Sequence, residues 1–146
     1  MKKTDISQYV GRPHAKLVLV ILLTATSMSA NAEWTFFGSD GEGNSKTYIE
    51  GASIKKAGNK ARVWILTDYK IPEKLGADYV FSSIFQHEID CNEATLRMVK
   101  GITYSKNMGQ GHVIDSMSFE ISEFPATTLA PGSIGESELK IACGKK

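Results

Sequence analysis

The carboxylates that could share a reaction are Glu88 and Asp90, two residues apart in the strand-like run His87-Glu88-Ile89-Asp90. On an extended strand such a pair lies on one face, about 7 Å apart. A glycosidase can divide acid and base roles between two carboxylates at that distance. Metal chemistry has weaker support. His14 falls in the N-terminal segment, and His87 and His112 have no His or Cys at ligand spacing. The run at His87 is also not the H-E-x-x-H pattern, so neither a metal nor a cofactor is expected. Both histidines read as structural, His87 in a strand and His112 in a turn. Nucleophiles fare no better. Gly132-Ser133-Ile134 has the outline of a nucleophile turn, but G-x-S-x-G is absent. Ser133 reads instead as the cap of a helix. The glycine-rich stretches at 38–43 and 109–111 lack the Lys-Ser/Thr ending of a phosphate loop and the third glycine of a dinucleotide fingerprint.

Cys91 and Cys143 are the two cysteines of the chain. Both follow a segment with the build of an export signal. In an oxidising compartment, two cysteines and no third mean one structural disulfide. Neither is then free to act as a thiol nucleophile.

That segment supplies Lys2, Lys3, Arg12 and Lys16, then the apolar run 17–23, then Ala30-Asn31-Ala32. A basic start, a short apolar stretch and a small-x-small site are the parts of a cleavable signal peptide. A spanning helix needs about 20 mostly apolar residues. Thr24, Thr26, Ser27 and Ser29 interrupt this stretch before that length. Residues 1–32 are therefore expected to be a signal peptide and 33–146 one domain, with no stable membrane span after cleavage. No cysteine sits near the cleavage site, so a lipid-modified N-terminus is not expected. Cleavage leaves 13 basic and 15 acidic residues. So balanced a surface argues against nucleic acid as a partner.

The elements that must position these residues are mostly strands. Short strands are predicted at 34–37 and 47–50, with a turn cluster at 38–45 between them. Residues 61–69 are β-branched and aromatic, and Pro72 and Gly76 bracket a predicted loop. Between 83 and 91, Phe85, His87, Ile89 and Cys91 alternate with Gln86, Glu88 and Asp90, the period of a half-buried antiparallel strand. From 96 to 104 the alternation puts Leu96, Met98, Lys100, Ile102 and Tyr104 on one face, with Lys100 breaking its character. Residues 92–94 suit a hairpin loop. The run 113–121 places Met117, Phe119 and Ile121 together. Ser133-x-x-Glu136 matches a capping box. The residues after it form a short helix ended by Gly144, with Leu139, Ala142 and Cys143 on one side. The fold class is α+β: an antiparallel, meander-like sheet of about six strands with one C-terminal helix tethered to it by a disulfide.

The order of these pieces resembles the surface-adhesin protein E-like family of small exported bacterial domains. The resemblance is carried by Trp34, Thr47-Tyr48-Ile49-Glu50, Ser53-Ile54, Val63-Trp64, Asp68-Tyr69 and Glu88-Ile89-Asp90-Cys91. It continues through Leu96-Arg97, Tyr104-Ser105, Met108-Gly109-x-Gly111, Pro131-Gly132-Ser133-x-x-Glu136 and Cys143. It implies an antiparallel sheet with a disulfide-tethered helix, and an adhesin that binds host matrix and plasma proteins. No binding residue is carried over from the family.

The reading that follows is a non-enzymatic interaction module of a bacterial envelope. It would be periplasmic or secreted, with cell-surface association allowed, and its partner would be an unidentified envelope or host protein. Trp34, Tyr69 and Tyr79 are the candidate anchors, being large and amphipathic and near predicted strand ends and loops. Two other readings are a small periplasmic hydrolase or enzyme accessory using Glu88 and Asp90, and a structural protein that self-associates through its sheet edges, in the simplest case as a homodimer.

Overall fold

The computed structural model describes residues 32–144. The leader other than Ala32, and Lys145 and Lys146, lie outside the described residues. The strands are β1 (Trp34–Ser39), β2 (Ser45–Glu50), β3 (Lys55–Ala57), β4 (Lys60–Leu75), β5 (Asp78–Asp90), β6 (Thr95–Tyr104), β7 (Val113–Ser118) and β8 (Thr127–Thr128). One helix, α1 (Ile134–Cys143), closes the described chain. The sheet runs in the order β1-β2-β4-β5-β6-β7, with β3 beside β4 and β8 beside β6. Every pairing is antiparallel. This is the expected meander, extended by two short strands.

Side chains alternate across a strand, so the register sorts the sheet into two faces. Ile49, Ala61, Val63, Ile65 and Ile89 share one face and are buried with Leu139 and Ala142 of α1. Burying each branched aliphatic side chain stabilises the fold by about 1.5–3 kcal/mol. This is the core. Cys91 and Cys143 pack beside it and are bonded, with Cα atoms 5.8 Å apart.

The helix begins and ends through local chemistry. Glu136 N–H donates to Ser133 Oγ at 3.1 Å, capping the first turn. The expected reciprocal bond is displaced by one residue: Glu136 Oε2 accepts from Gly132 N–H at 2.8 Å. The N–H of Ser133 is already used, donating to Ala130 O. Gly144 ends the helix in the left-handed region at φ 69°, where a side chain would be strained.

Three expectations need correction. First, the β6 alternation is broken. Gln86 pairs with Lys100 but His87 pairs with Met98, so Val99 is an extra residue. This bulge reverses the facing of everything after it. Leu96 and Met98 share the helix side with Gly101 and Thr103, while Lys100, Ile102 and Tyr104 lie on the other. Gly101 is required there: a Cβ would stand 2.5 Å from the ring of Phe85. Second, most of the loop expected between Pro72 and Gly76 is strand, and only Gly76 and Ala77 form the turn. β4 continues to Leu75, and the pairing with β5 skips from Asp68↔Ser82 to Glu73↔Val80. Pro72, which has no N–H to donate, sits in that irregularity. Third, β7 ends at Ser118. Phe119 N–H donates to Val99 O, and Ile121 is exposed rather than packed.

Candidate binding surfaces

The carboxylate pair resolves into two structural roles. Glu88 lies on the face away from α1, and its side chain is only 9% exposed. Arg62 Nε donates to its Oε2 at 2.7 Å, and Arg97 Nε and Lys60 Nζ donate to Oε1 at 3.0 and 3.3 Å. Burial by itself would raise its pKa. The bonds from Arg62, Arg97 and Lys60 outweigh that and hold it at about 2. Asp90 accepts the N–H groups of Glu93 and Asn92 and the amide of Asn59, which fasten the β5–β6 turn. The Glu93 and Asn92 bonds and the Asn59 amide prevail over desolvation and hold its carboxyl below the usual range. A general acid needs a raised pKa. Neither group has one, and the arrangement does not serve the hydrolase reading.

The Glu88 cage makes a pH prediction. A carboxylate whose folded pKa is depressed contributes stability above its unfolded pKa, near 4.5, and loses it as pH falls toward 2. The contribution is at most about 3 kcal/mol, and salt trims it because Lys60 and Arg62 are half exposed. Urea unfolding at pH 7, 4 and 3 is expected to show Glu88→Gln losing stability at pH 7 and varying less with pH than the parent. Parallel pH curves for the two proteins would contradict the cage.

His87 belongs to the packing. Its Nδ1 lies 2.8 Å from Glu138 Oε1 of α1, and its ring stacks near Phe85. His112 is a turn residue whose ring and N–H both meet Ser105 Oγ. Among the described residues no group of three or more His, Cys, Asp or Glu side chains could hold a metal ion.

The three candidate anchors have different fates. Tyr69 is tied down: its hydroxyl is 3.0 Å from Ser83 Oγ, and burial raises its pKa. Trp34 is half-buried on the outermost strand, on the same face as Phe36 and Tyr48, which meet edge to face. Tyr79 is 53% exposed, at the far end of the β4–β5 hairpin. Ile71 and Leu75, at 63% and 43%, join it there. The sequence reading missed those two because it ended the strand at Tyr69 and took Pro72 and Gly76 to bracket a loop. The signal was present in the apolar residues spaced along 71–79.

A second loop stiffens the base of this hairpin. Met108 adopts φ 55°, a left-handed conformation costing roughly 1 kcal/mol outside glycine. Its N–H donates to Asp68 Oδ1. Gly109 N–H donates to Ser82 Oγ, Ser82 donates to Lys106 O, and the Asn107 amide reaches Asp68 and Tyr69 O. Asp68 and Ser82 are the last paired residues before the irregularity. The projecting tip therefore stands on a cross-braced root.

Comparison with known proteins adds the lineage. The sequence profile of a family described as Surface-adhesin protein E matches residues 34–144. Two crystal structures of Haemophilus influenzae protein E have the same fold, with TM-score 0.56 and 15% identity in each case. The match covers 78% of this chain and 92% and 89% of those chains. A selenomethionine form of the same protein gives the same values, covering 91% of its chain. At that identity the likeness establishes the fold. No curated protein matches the sequence.

Proposed function

The chain belongs to the surface-adhesin protein E family, and from that premise we propose that it is a non-enzymatic, adhesin-like binding module of a bacterial envelope. In this reading residues 1–32 are removed on export and the domain 33–146 works in the periplasm or outside the cell. Its partner is a host or envelope protein. A second copy of the chain is a further partner, through the outer strands β1 and β7.

The observation that carries the reading is the β4–β5 tip. Ile71, Leu75 and Tyr79 are all exposed along the tip, Leu75 on one face of the hairpin and Tyr79, paired with Lys74, on the other. Apolar anchors inside a charged rim are what a protein-binding surface needs, and water would otherwise wet them at a cost. The reading is also supported by Glu88 and Asp90 being held ionised in structural roles.

The test uses protein purified from the envelope, with its N-terminus sequenced first. Binding is measured by surface plasmon resonance against purified host matrix and plasma proteins and against fractionated envelope proteins. Saturable binding is expected, and Tyr79→Ala is expected to weaken it at least tenfold, as loss of an interface anchor does. Turnover of ester, glycoside or peptide substrates, abolished by Glu88→Gln, would overturn the reading. So would binding that Tyr79→Ala leaves unchanged, as far as the tip is concerned.

A further inference from the structure

At the opposite end of the sheet from the tip, the face away from α1 carries a concentrated positive charge. The register places Lys55, Arg62, Glu88 and Arg97 in one row across β3, β4, β5 and β6. The row toward the sheet end adds Lys60 and Asp90. The row on the other side adds Trp64, Gln86 and Lys100. Five cations thus share this face with two carboxylates. Both carboxylates are already occupied, Glu88 by three cations and Asp90 by a turn.

The charge lines a hollow. Lys55, Lys56, Ala57, Lys60, Arg62 and Glu88 enclose an open cavity of about 320 Å³. Lys60 and Arg62 are each about half exposed there, at 53% and 51%. They are held in place from below by the buried Glu88. Lys55 makes no ion pair among the described residues. Lys56 points the other way, its Nζ close to Gly144 at the C-terminal end of α1, where a cation offsets the helix dipole. Lys55, Lys60 and Arg62 thus form an anion site in which Glu88 prepositions Lys60 and Arg62 and Lys55 is left unpaired among the described residues. Trp64 follows Arg62 by two residues on the same strand face, about 7 Å along β4. Its indole is half-buried, one row further along the sheet from the residues that line the hollow.

We propose that this hollow binds a sulfate or phosphate ester carried on a sugar. The ester is held by Lys55, Lys60 and Arg62, and the sugar lies toward Trp64. A cation cluster of this size suits one or two ester groups. A long polyanion is disfavoured, because the domain 33–146 as a whole carries 13 basic and 15 acidic residues, a small negative excess. The site is independent of the β4–β5 tip, which stands at the other end of the same two strands.

The test is calorimetric titration of the exported protein at low salt with four probes. They are a heparin-derived sulfated tetrasaccharide, its desulfated counterpart, a phosphorylated oligosaccharide from a lipopolysaccharide core, and inorganic phosphate. Saturable binding of one of the two esterified sugars is expected, with at least tenfold weaker binding of the desulfated sugar and of inorganic phosphate. Which ester binds tighter identifies the source. The double variant Lys55→Ala/Lys60→Ala should lose at least tenfold in affinity, and Lys55→Glu alone should lose as much. The control Lys70→Ala/Lys74→Ala at the tip should stay within twofold. Both lysines at the hollow are exposed, and thermal melts of all variants check that they fold. Absence of saturable binding to both esterified sugars would sink the proposal. So would equal losses in the two double variants, which would mean unspecific attraction to charge. Neither result bears on protein binding at the tip.

Discussion

Cys143→Ser is expected to remove about 4 kcal/mol of stability. The bond joins residues 52 apart in sequence. On the chain-entropy account, opening a loop of that length frees the unfolded chain by about this amount. Domains of this size have on the order of 5–15 kcal/mol in total. The local consequence is larger than the global one. α1 has ten residues, fewer than an isolated helix needs to persist in water. Its cap at Ser133, its Glu136–Lys140 pair at 3.2 Å, its burial of Leu139 and Ala142 and the His87–Glu138 contact also help to keep it in place. Urea unfolding should show the lower midpoint, and limited proteolysis should cut within residues 134–144 first. A variant with parental stability and a protected C-terminus would mean that packing alone holds the helix.

The second large effect is expected at the contact between His87 and Glu138. Glu138 is 3% exposed and His87 14%, and their side chains meet at 2.8 Å across the helix–sheet interface. Removing one partner leaves the other buried without its bond. Breaking a buried ionic pair costs about 3–5 kcal/mol, and stranding a neutral polar group about 1–3. Glu138→Ala is thus expected to lose roughly 3 kcal/mol, the middle of those ranges. The double change His87→Leu/Glu138→Leu should recover much of the loss, because no polar group is then stranded. A complete double-mutant cycle in urea measures the coupling. Purely additive effects would show that the two groups do not act as a unit. In a family of binding proteins, this pair and the disulfide act on the same element. Both hold α1 to the sheet.

The acid sensitivity expected at Glu88 and the recognition proposed at the tip and the basic hollow are smaller or more local effects. They also divide cleanly by place. Glu88 and the hollow lie at the Lys60–Asp90 end of the sheet, and Tyr79 lies at the other.

The parts of this protein legible in its sequence are those governed by short-range physics. Alternation in 83–91 puts Ile89 and Cys91 on the buried side, because strand side chains reverse at every residue. Ser133 and Gly144 bound the helix, because a hydroxyl can satisfy an orphan N–H and glycine tolerates φ 69°. The two cysteines imply a bond from their number and from the oxidising compartment that an export signal would lead to. The tertiary structure decided what depends on register. The extra residue Val99 is invisible as a pattern, since a bulge is defined only against the partner strand, yet it turns Lys100 to the face of Glu88 and brings Gly101 under Phe85. Glu88 looked like a catalytic carboxylate beside Asp90 because its neighbours in sequence are the wrong ones to consult. Its partners, Lys60 and Arg62, stand 28 and 26 residues away, and Arg97 stands 9 away on the next strand. Pro72 reads as a loop residue because it cannot donate to a ladder, and only the irregular pairing between β4 and β5 makes room for it. The charge state of Glu88, the exposure of Ile71, Leu75 and Tyr79, and the hollow lined by Lys55, Lys60 and Arg62 all arise where distant segments are brought side by side. Local sequence carries no energy term for that juxtaposition, and folding supplies it.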